Sequence, residues 1–254
     1  MKLSVVTVCL NSEDTIAEAV QSVHDQAYGD VEHIVVDGAS DDGTLEILES
    51  YRAGISTLIS ESDRGLYYAM NKGIEAATGE YLGFLNSDDV YHHDHVLERV
   101  ANALEDRPDA AHADLVYVEH KNPSRVARYW NSKPYESGMF EAGWHPAHPT
   151  LFVKTALLKE IGGFDTRYRY HADFDLMVRL FVERKISSAY IPEVLVRMRT
   201  GGQSTRSLRN IYRGNRESWE IARRAGIAGS PLWIPRKLGY RVAQYFRRPP
   251  VSVR

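Results

Sequence analysis

Short apolar runs alternate with amphipathic segments through the first ninety residues of the chain. Residues 3–9, 31–36, 55–59 and 81–85 are apolar and rich in β-branched or aromatic side chains, as expected of strands buried on both faces. The segments between these runs repeat apolar side chains at helical spacing. Strict alternation of this kind predicts an α/β fold with a mostly parallel, doubly wound, Rossmann-like sheet.

Polar residues follow three of these strands directly. Residues 37–42 contain three aspartates, residues 61–63 read Glu-Ser-Asp, and residues 86–89 read Asn-Ser-Asp-Asp. Because parallel strands end at the same edge of a sheet, we expect the three loops to meet. The adjacent carboxylates of Asp88 and Asp89 repel each other unless a cation offsets them, which favours a divalent ion shared with a diphosphate. An ordinary solvated loop, with an Asp-capped turn at its end, is the alternative that the sequence leaves open.

The second half of the chain is less regular. A helix is expected over residues 94–106, and residues 113–119 and 125–130 read as strands that extend the sheet in the antiparallel sense. Residues 131–149 show no period and collect proline, histidine and aromatic side chains. This composition is typical of a loop on the substrate side, although a purely structural loop fits it too. Its candidate acceptor contacts are Trp144, His145 and His148.

A later helix begins close to Asp173. It is preceded by a short strand at residues 150–153 and a short helix at 154–161, and its own apolar side chains recur at helical spacing. Asp173 can act as the N-cap of this helix or as a carboxylate that takes a proton in a cleft, and the two roles are compatible. An extended segment at residues 186–196 follows.

Charge is distributed unevenly along the chain. Residues 1–196 carry 17 basic and 32 acidic side chains, whereas residues 197–254 carry 14 basic and 2 acidic ones. Within the basic part, a helix over residues 235–248 would align Leu238, Val242 and Tyr245, which is the pattern of a helix lying on an anionic membrane surface. Packing of this helix across the acidic body of the protein is the alternative. No motif that reads nucleic acid accompanies the charge, so nucleic acid is not a predicted partner.

Several function classes lack their sequence signatures. The chain has no phosphate-binding G-x-x-x-x-G-K-[ST] loop, no G-x-G-x-x-G after the first strand and no G-x-S-x-G elbow. Its single cysteine, Cys9, lies in the first apolar run and excludes an internal disulfide and a cysteine-based zinc site. The absence of a signal-peptide pattern and of a long apolar run predicts a cytoplasmic protein, peripheral on the inner face of the cell membrane.

Four stretches of the chain resemble the family 2 glycosyltransferases. They are VVTVCLNSEDTI from residue 5, VVDGASDDGT from residue 35, ESDRGLYYAMNKGIEAATGEYLGFLNSDD from residue 61, and HPTLFVKTALLKEIGGFD with HADFDLMVRL between residues 148 and 180. The resemblance covers residues 3–180 and is strongest to the branch that builds bacterial exopolysaccharide, capsule and O-antigen repeat units. It implies the A-type nucleotide-diphospho-sugar transferase fold and an inverting transfer from a nucleotide-linked sugar.

The resemblance also implies roles for individual residues. Asp88 would be a ligand of Mn²⁺ or Mg²⁺, supported by Asp89 or with Asp89 meeting the sugar, and Asp173 would be the general base. Nucleotide contacts would come from Thr7, Asn11, Asp37, Asp63, Arg64 and Lys72, with Asp37 toward the base. The chemistry agrees: the leaving diphosphate needs its charge neutralised, and the acceptor hydroxyl must lose a proton on the opposite face.

Three departures from the family pattern stand out. Asn86 replaces the first acid of the Asp-x-Asp motif, which puts strict metal dependence in doubt. Tyr68 replaces the aspartate of YDAMNKG, so the donor sugar does not follow from the motif. The loop at residues 199–204 lacks the histidine of many relatives, and Arg199 would hold the diphosphate instead.

The combined reading is an inverting glycosyltransferase. It would pass a sugar from a nucleotide donor, preferably UDP-linked, to a glycan or polyprenyl-linked glycan in cell-surface polysaccharide biosynthesis. Residues 1–204 would form the catalytic domain, with a nucleotide half at 1–89 and an acceptor half at 90–204, and residues 205–254 a helical basic extension. The alternatives are an idle sugar-nucleotide-binding scaffold, which Asn86 keeps open, and a sugar-phosphate nucleotidyltransferase, which lacks its basic glycine-rich loop here.

Overall fold

A computed structural model describes residues 1–120, 122–201, 207–229, 232–246 and 249. Three features predicted from the sequence lie partly or wholly outside this range. They are residues 202–204 of the loop after Arg199, the predicted domain boundary between residues 204 and 205, and Arg248, the last residue of the predicted C-terminal helix.

The nucleotide half is built from four parallel strands with helices between them. The strands are β1 (Leu3–Cys9), β2 (Val31–Asp37), β3 (Thr57–Ser60) and β4 (Tyr81–Phe84), and they lie in the order β3-β2-β1-β4. The helices are α1 (Ile16–His24), α2 (Thr44–Ser50) and α3 (Leu66–Ala76). Strand β1 is buried along its whole length, and α3 lies so close to it that a Cβ at Gly73 would collide with Val6. The predicted doubly wound α/β sheet is confirmed.

The acceptor half continues the same sheet with mixed strand directions. Its elements are β5 (Asp89–Tyr91), α4 (Val96–Ala103), β6 (Ala110–Glu119), β7 (Asn122–Trp130), β8 (Phe152–Lys154), α5 (Thr155–Glu160), α6 (Ala172–Met177) and β9 (Ser188–Arg199). The described sheet runs β3-β2-β1-β4-β8-β6-β9-β5, and β7 pairs with β6. The β6–β7 hairpin is antiparallel as predicted, whereas β6 and β9 pair in parallel. A π-helical turn, Val178–Glu183, prolongs α6.

Several helix and strand boundaries differ from those predicted from the sequence. The helix expected over 94–106 spans only Val96–Ala103, because residues beyond Leu104 turn toward Pro108. Residues 86–89 turn through a hydrogen bond from the Asp89 amide to the Asn86 carbonyl and enter the short strand β5. The strand expected at 150–153 begins at Phe152, after a 3₁₀ turn at His148–Thr150.

Two helices form the described part of the basic C-terminal region. Helix α7 (Leu208–Arg224) is capped by Ser207, whose hydroxyl accepts from the Asn210 amide. Helix α8 spans Trp233–Ala243 rather than 235–248, since Pro235 lies in its first turn, where a helix does not need the missing N–H.

Helix α8 packs on the loop at residues 131–149. The buried Trp233 indole donates to the Phe140 carbonyl at 2.9 Å, and a Cβ at Gly143 would lie 2.7 Å from the Lys237 backbone. The opposite side of α8 exposes Leu238 and Val242. Packing against the body and an exposed apolar face, which the sequence offered as alternatives, therefore coexist. Among the described helices, none is both long and apolar enough to cross a membrane.

Candidate active site

Side chains tie the loops after β1, β2 and β4 together at one edge of the sheet. The Asn11 amide group donates to the Asp41 carboxylate at 2.7 Å and accepts from the Asp41 N–H at 3.0 Å. The hydroxyls of Ser12 and Ser87 lie 2.9 Å apart. Asn11 itself adopts a left-handed φ of 50°, which asparagine tolerates well. The loops after β1, β2 and β4 thus meet at one edge, and the loop after β3 adjoins them through the Glu61 N–H, which donates to the Asp37 carbonyl at 3.0 Å.

Asp37 is buried at the end of β2 and is held by two serines. Its carboxylate accepts from the Ser60 hydroxyl at 2.7 Å and from the hydroxyl and N–H of Ser40. Thr7 is also buried, and its hydroxyl lies 3.0 Å from Nε2 of His33. Burial lowers the pKa of His33 to about 3, so this imidazole is neutral. Asp37 lies at the strand's end, whereas Thr7 contacts the layer beneath it.

Asp63, Lys72 and Arg64 surround the start of α3. The Lys72 ammonium lies 2.6 Å from Asp63 Oδ1 and 2.8 Å from Glu61. Asp63 Oδ2 is buried and has no hydrogen-bond partner among the described residues. Arg64 is exposed in the turn before the helix. Lys72 is therefore neutralised by two carboxylates in this structure, and Arg64 is the exposed cation.

The Asn86–Asp89 turn contains two buried side-chain oxygen atoms that lack a hydrogen-bond partner among the described residues. Burial, together with the charge of Asp88, raises the pKa of the Asp89 carboxyl well above its usual range, and burial raises the pKa of Asp88. Asp89 Oδ1 and Asn86 Oδ1 are both buried without a hydrogen-bond partner in the described parts of the chain. Oxygen atoms in this state suit a hard divalent cation, which would relieve the repulsion. The residues present therefore fit Mn²⁺ or Mg²⁺, with further ligands to come from a bound diphosphate or water.

Arg199, at the end of β9, holds this turn in place. Its guanidinium donates to the Asp88 carbonyl at 2.9 Å and to Glu18 at 2.5 Å, and only 4% of the residue is exposed. These contacts connect β9 with α1 and with the acidic turn. Arg199 orients the backbone of Asp88 in this structure, and its predicted contact with a diphosphate remains a prediction.

Asp173 is half-buried at the N-terminal end of α6. Its Oδ1 accepts from the Phe174 N–H at 2.8 Å and lies 3.3 Å from the Tyr67 hydroxyl. Burial raises the pKa of the Asp173 carboxyl, but the neighbouring His148 and His171 and the Phe174 N–H outweigh burial and hold the pKa below its usual range. The carboxylate is therefore ionised at neutral pH and able to accept a proton.

Histidines from two segments line the approach to Asp173. His148 stacks on the Phe84 ring at 5.6 Å, and His145 meets the Phe174 ring edge-on at 5.4 Å. Burial lowers the pKa of His148 and brings that of His145 to about 3, so both are neutral near pH 7. Trp144 is buried, with its indole donating to the Ser132 carbonyl at 2.5 Å. Trp144 therefore supports the loop from inside, while His145 and His148 adjoin the carboxylate.

The comparisons with known proteins agree with this geometry. The family model described as glycosyl transferase family 2 matches residues 4–158. The chain belongs to glycosyl transferase family 2. This family 2 glycosyltransferase is 29% identical over 195 residues to a PGL/p-HBAD biosynthesis glycosyltransferase of Mycobacterium bovis, covering 76% of the chain and 74% of the relative. It is 32% identical over 179 residues to an uncharacterised glycosyltransferase of Mycobacterium tuberculosis, covering 70% and 68%.

Solved structures share the fold at low sequence identity. S. aureus TarS 1-349 in complex with UDP-GlcNAc superposes with a TM-score of 0.68 at 20% identity, covering 97% of this chain and 72% of that one. The mannosyltransferase PcManGT from Pyrobaculum calidifontis, in complex with GDP-Man and Mn²⁺, superposes with a TM-score of 0.64 at 18% identity, covering 95% and 74%. The predicted A-type fold with a helical C-terminal region is thereby confirmed.

One group beside Asp173 escaped the sequence analysis. Lys237, on the inner side of α8, donates to the Ser218 hydroxyl at 2.6 Å, and that hydroxyl lies 2.6 Å from His171 Nδ1. Burial lowers the pKa of Lys237 to about 8, while the charge of Asp173 opposes that change. The C-terminal helix thus supplies a cation to the site of this glycosyltransferase. The available signal was the spacing: Lys237 lies four positions after Trp233 and therefore on the same side of α8.

Replacing Lys237 with Met is expected to shift the titration of its neighbours. The charge of Lys237 depresses the pKa of His171, which lies at about 4, and stabilises the Asp173 anion. Its removal should raise both pKa values, so the acidic limb of activity moves to higher pH. Histidine NMR titration of His171 measures the shift without substrate. Lys185→Met, at an exposed loop, is the control, and an unmoved His171 midpoint in folded Lys237→Met would contradict the expectation.

Proposed function

We propose that this protein is an inverting glycosyltransferase that moves a sugar from a nucleoside-diphosphate donor, preferably UDP-linked, to a hydroxyl of a lipid-linked glycan or glycan. One observation supports this most: the ionised Asp173 carboxylate lies near His148, which stacks at 5.6 Å on Phe84, two residues before the Asn86–Asp89 turn. The charges of Asp89 and Asp173 also both act on the Tyr117 phenol. We therefore assign the proton acceptor and the diphosphate site to one cleft.

In the proposed reaction, Asp173 takes the proton of the acceptor hydroxyl. Its Oδ1 is occupied by Tyr67 and the Phe174 N–H in the described structure, so we assign the proton to Oδ2. The acceptor oxygen forms a bond to the anomeric carbon while the bond from that carbon to the diphosphate oxygen breaks. The bonding pair leaves with the nucleoside diphosphate. Attack from the face opposite the leaving group inverts the configuration, and general-base assistance contributes roughly 10²–10⁴-fold in rate.

Asp88 would hold the divalent ion, with oxygen atoms of Asp89 and Asn86 beside it. When bound, the ion neutralises negative charge on the leaving diphosphate. Arg199 keeps the Asp88 backbone in place, and Arg64 is the exposed cation that we assign to the diphosphate or ribose. Asn11, Asp37, Asp63 and Lys72 line the nucleotide side of the same edge, and Thr7 supports it from beneath.

The donor class is proposed from the fold neighbours together with the site. TarS was crystallised with UDP and UDP-GlcNAc, and PcManGT with GDP-Man and Mn²⁺. UDP is our preferred nucleotide, and Asp37 at the end of β2 is the residue we assign to the base. We further propose residues 1–204 as the catalytic domain and 205–254 as an extension specific to the acceptor side.

The exposed face of α8 supports a membrane-linked acceptor in cell-surface polysaccharide biosynthesis. Leu238, Val242 and Phe246 are 41%, 55% and 84% exposed, and Arg236 and Arg241 are exposed on the same helix. Apolar side chains flanked by arginines suit an anionic lipid surface. We propose that this surface, defined by Leu238 and Val242 of α8 and by Phe246 just beyond the helix, seats the enzyme on the inner side of the cell membrane, where a polyprenyl-linked glycan would be reached. Tyr245, which the sequence analysis aligned with Leu238 and Val242, is exposed too but lies near Arg128.

Changing Leu238, Val242 and Phe246 together to serine is expected to reduce co-sedimentation with anionic liposomes. Loss of the buried apolar area should weaken binding by roughly tenfold or more, because each large apolar side chain contributes about 1.5–3 kcal/mol when fully buried. Wild-type binding should also fall as salt rises. The exposed pair Ile211 and Tyr212 on α7, changed to serine, controls for general loss of hydrophobicity. Unchanged sedimentation of the triple variant would refute the membrane contact.

The proposed activity is tested by transfer of radiolabelled sugar. Purified protein with Mn²⁺ and one UDP-sugar at a time is incubated with bacterial membrane lipid extract, and label is counted in the organic phase. We expect label with at least one donor and none with Asp173→Asn. Equal incorporation by wild type and Asp173→Asn would refute the assigned base.

A further inference from the structure

Arg128 on β7 carries a charge that the described structure does not neutralise. The residue is 4% exposed, and its guanidinium lies over the Tyr117 ring, 3.7 Å from the centroid. Its Nη2 is buried without a hydrogen-bond partner, and no described carboxylate comes within ion-pair distance. A buried cation without a counter-ion is costly, so its retention points to an anionic ligand.

A cross-strand row places Arg128 relative to the catalytic groups. Asp89 pairs with Met198, Met198 with Tyr117, and Tyr117 with Arg128, so these residues form one row across β5, β9, β6 and β7. Three strand spacings separate the backbones of Asp89 and Arg128 by about 14 Å. Arg128 thus lies on the acceptor half of the sheet, three strands from the acidic turn. We assign its ligand to the acceptor rather than to the donor diphosphate.

Two further donors flank this position. The indole Nε1 of Trp130 is buried without a partner in the part of the chain that the structure describes, and the Trp130 ring lies 5.7 Å from the Arg128 guanidinium. Burial lowers the pKa of Arg128, and the positive charge of Arg241 on α8 lowers it further. The Tyr245 ring covers Arg128 at 5.6 Å. The lining is therefore cationic and aromatic, and these groups lack a carboxylate.

Aromatic contacts connect the surroundings of Arg128 with the candidate base, Asp173. Trp130 meets the His145 ring edge-on at 5.0 Å, and His145 meets Phe174, the neighbour of Asp173, at 5.4 Å. A ligand held at Arg128 would extend past His145 toward Asp173. This is the direction from which an acceptor hydroxyl must arrive.

We propose that Arg128, Trp130 and Arg241 form a binding site for a phosphate or diphosphate monoester carried by the acceptor. The assignment rests on the proposed transfer to a glycan acceptor and names the group by which that acceptor is held. Guanidinium and indole N–H groups donate to the phosphate oxygens, and the sugar attached to that phosphate lies toward Asp173. A prenyl-linked diphosphate and a soluble sugar phosphate share this chemistry.

The test measures diphosphate binding by calorimetry in EDTA, which removes the metal that the proposed donor edge needs, so the probes do not bind there. Geranyl diphosphate and inorganic pyrophosphate are the two probes, and the full chain is used. We expect Arg128→Met to weaken binding roughly tenfold to a hundredfold. Arg128→Lys should retain part of the affinity. Arg125→Met is the matched control on the same strand, since Arg125 is exposed and pairs with Glu119.

Arg241→Met keeps the test decisive if Arg128→Met fails to fold. Arg241 is exposed, so its loss should spare the fold while weakening binding several-fold. Tighter binding of geranyl diphosphate identifies a prenyl-linked source, and equal or tighter binding of pyrophosphate identifies a soluble one. Binding that none of these arginine variants alters overturns the site. Absence of UDP binding to the wild type in a separate titration with Mn²⁺ would instead refute the proposed donor, and it would leave arginine-dependent diphosphate binding in EDTA unaffected.

Discussion

Asp173→Asn is expected to lower sugar transfer roughly 10²–10⁴-fold, the usual contribution of a general base. The amide keeps the size of the side chain and can still accept from the Phe174 N–H, so the end of α6 should hold its shape. It cannot take a proton from the acceptor hydroxyl. Nucleotide affinity should be unchanged, because the proposed role of Asp173 is toward the acceptor and not toward the nucleotide.

The pH dependence gives this prediction a second readout. The folded-state pKa of Asp173 is lowered, so the carboxylate is charged above its ordinary titration range and is lost as a base only as pH falls through that lowered value. Wild-type activity should therefore persist on the acidic side of neutrality. Asp165→Asn, which removes a carboxylate paired with Arg167 in a neighbouring loop, is the control. Activity of Asp173→Asn within tenfold of wild type would exclude the assigned role.

Asp88→Asn is expected to weaken Mn²⁺-dependent binding of UDP by at least about a hundredfold. Even residues that only support a metal ligand change metal affinity by roughly 10- to 100-fold, and Asp88 is proposed as the ligand itself. Because Asn86 already replaces one acid, the turn would keep a single carboxylate, that of Asp89.

The same substitution should not destabilise the protein without metal. Burial and the neighbouring charge raise the pKa of Asp89, so removing the charge at position 88 relieves repulsion. Thermal unfolding in EDTA is expected at the same or a higher temperature than in wild type. Asp94→Asn, an exposed carboxylate on the following turn, is the control. Metal-dependent affinity that survives Asp88→Asn would assign the ion to other residues.

The parallel half of the fold could be read from the sequence because its signals are local. Each strand of that half is an apolar run, and helical spacing places the inward residues of α1 and α3 without knowledge of the partner. The meeting of the loops that carry Asn11, Asp41 and Ser87 then follows from parallel strands ending at one edge. Local sequence patterns of this kind therefore predict the arrangement of these strands and helices in the tertiary structure.

The acceptor side depends on contacts between segments that are distant in sequence. The parallel pairing of β6 and β9 joins residues about eighty positions apart, and the row from Asp89 to Arg128 exists only through that register. The inward orientation of Lys237 depends on Gly143, because a side chain at this position would collide with the α8 backbone. Gly214 likewise makes room for the His171 ring within α7. The sequence around these two glycines does not indicate which residue each of them will contact.

Trp144 shows why a loop without a period is hard to interpret. Aromatic residues in such a loop suit substrate stacking and core packing equally well. In the structure Trp144 lies between Tyr135 and Phe140 and is buried, whereas His145, one residue further, faces Phe174. Without a repeating period, neighbouring side chains cannot be assigned to opposite faces.

Calorimetric titration of the wild-type protein with UDP, GDP and dTDP, each with Mn²⁺ and with EDTA, tests the central claim most directly. We predict tight binding of one nucleotide, UDP by preference, that requires the metal and disappears in EDTA. Failure of all three nucleotides to bind would contradict the assignment of the strand edge at Asp37 and Asp88 as a donor site. It would favour a protein that no longer uses a nucleotide sugar.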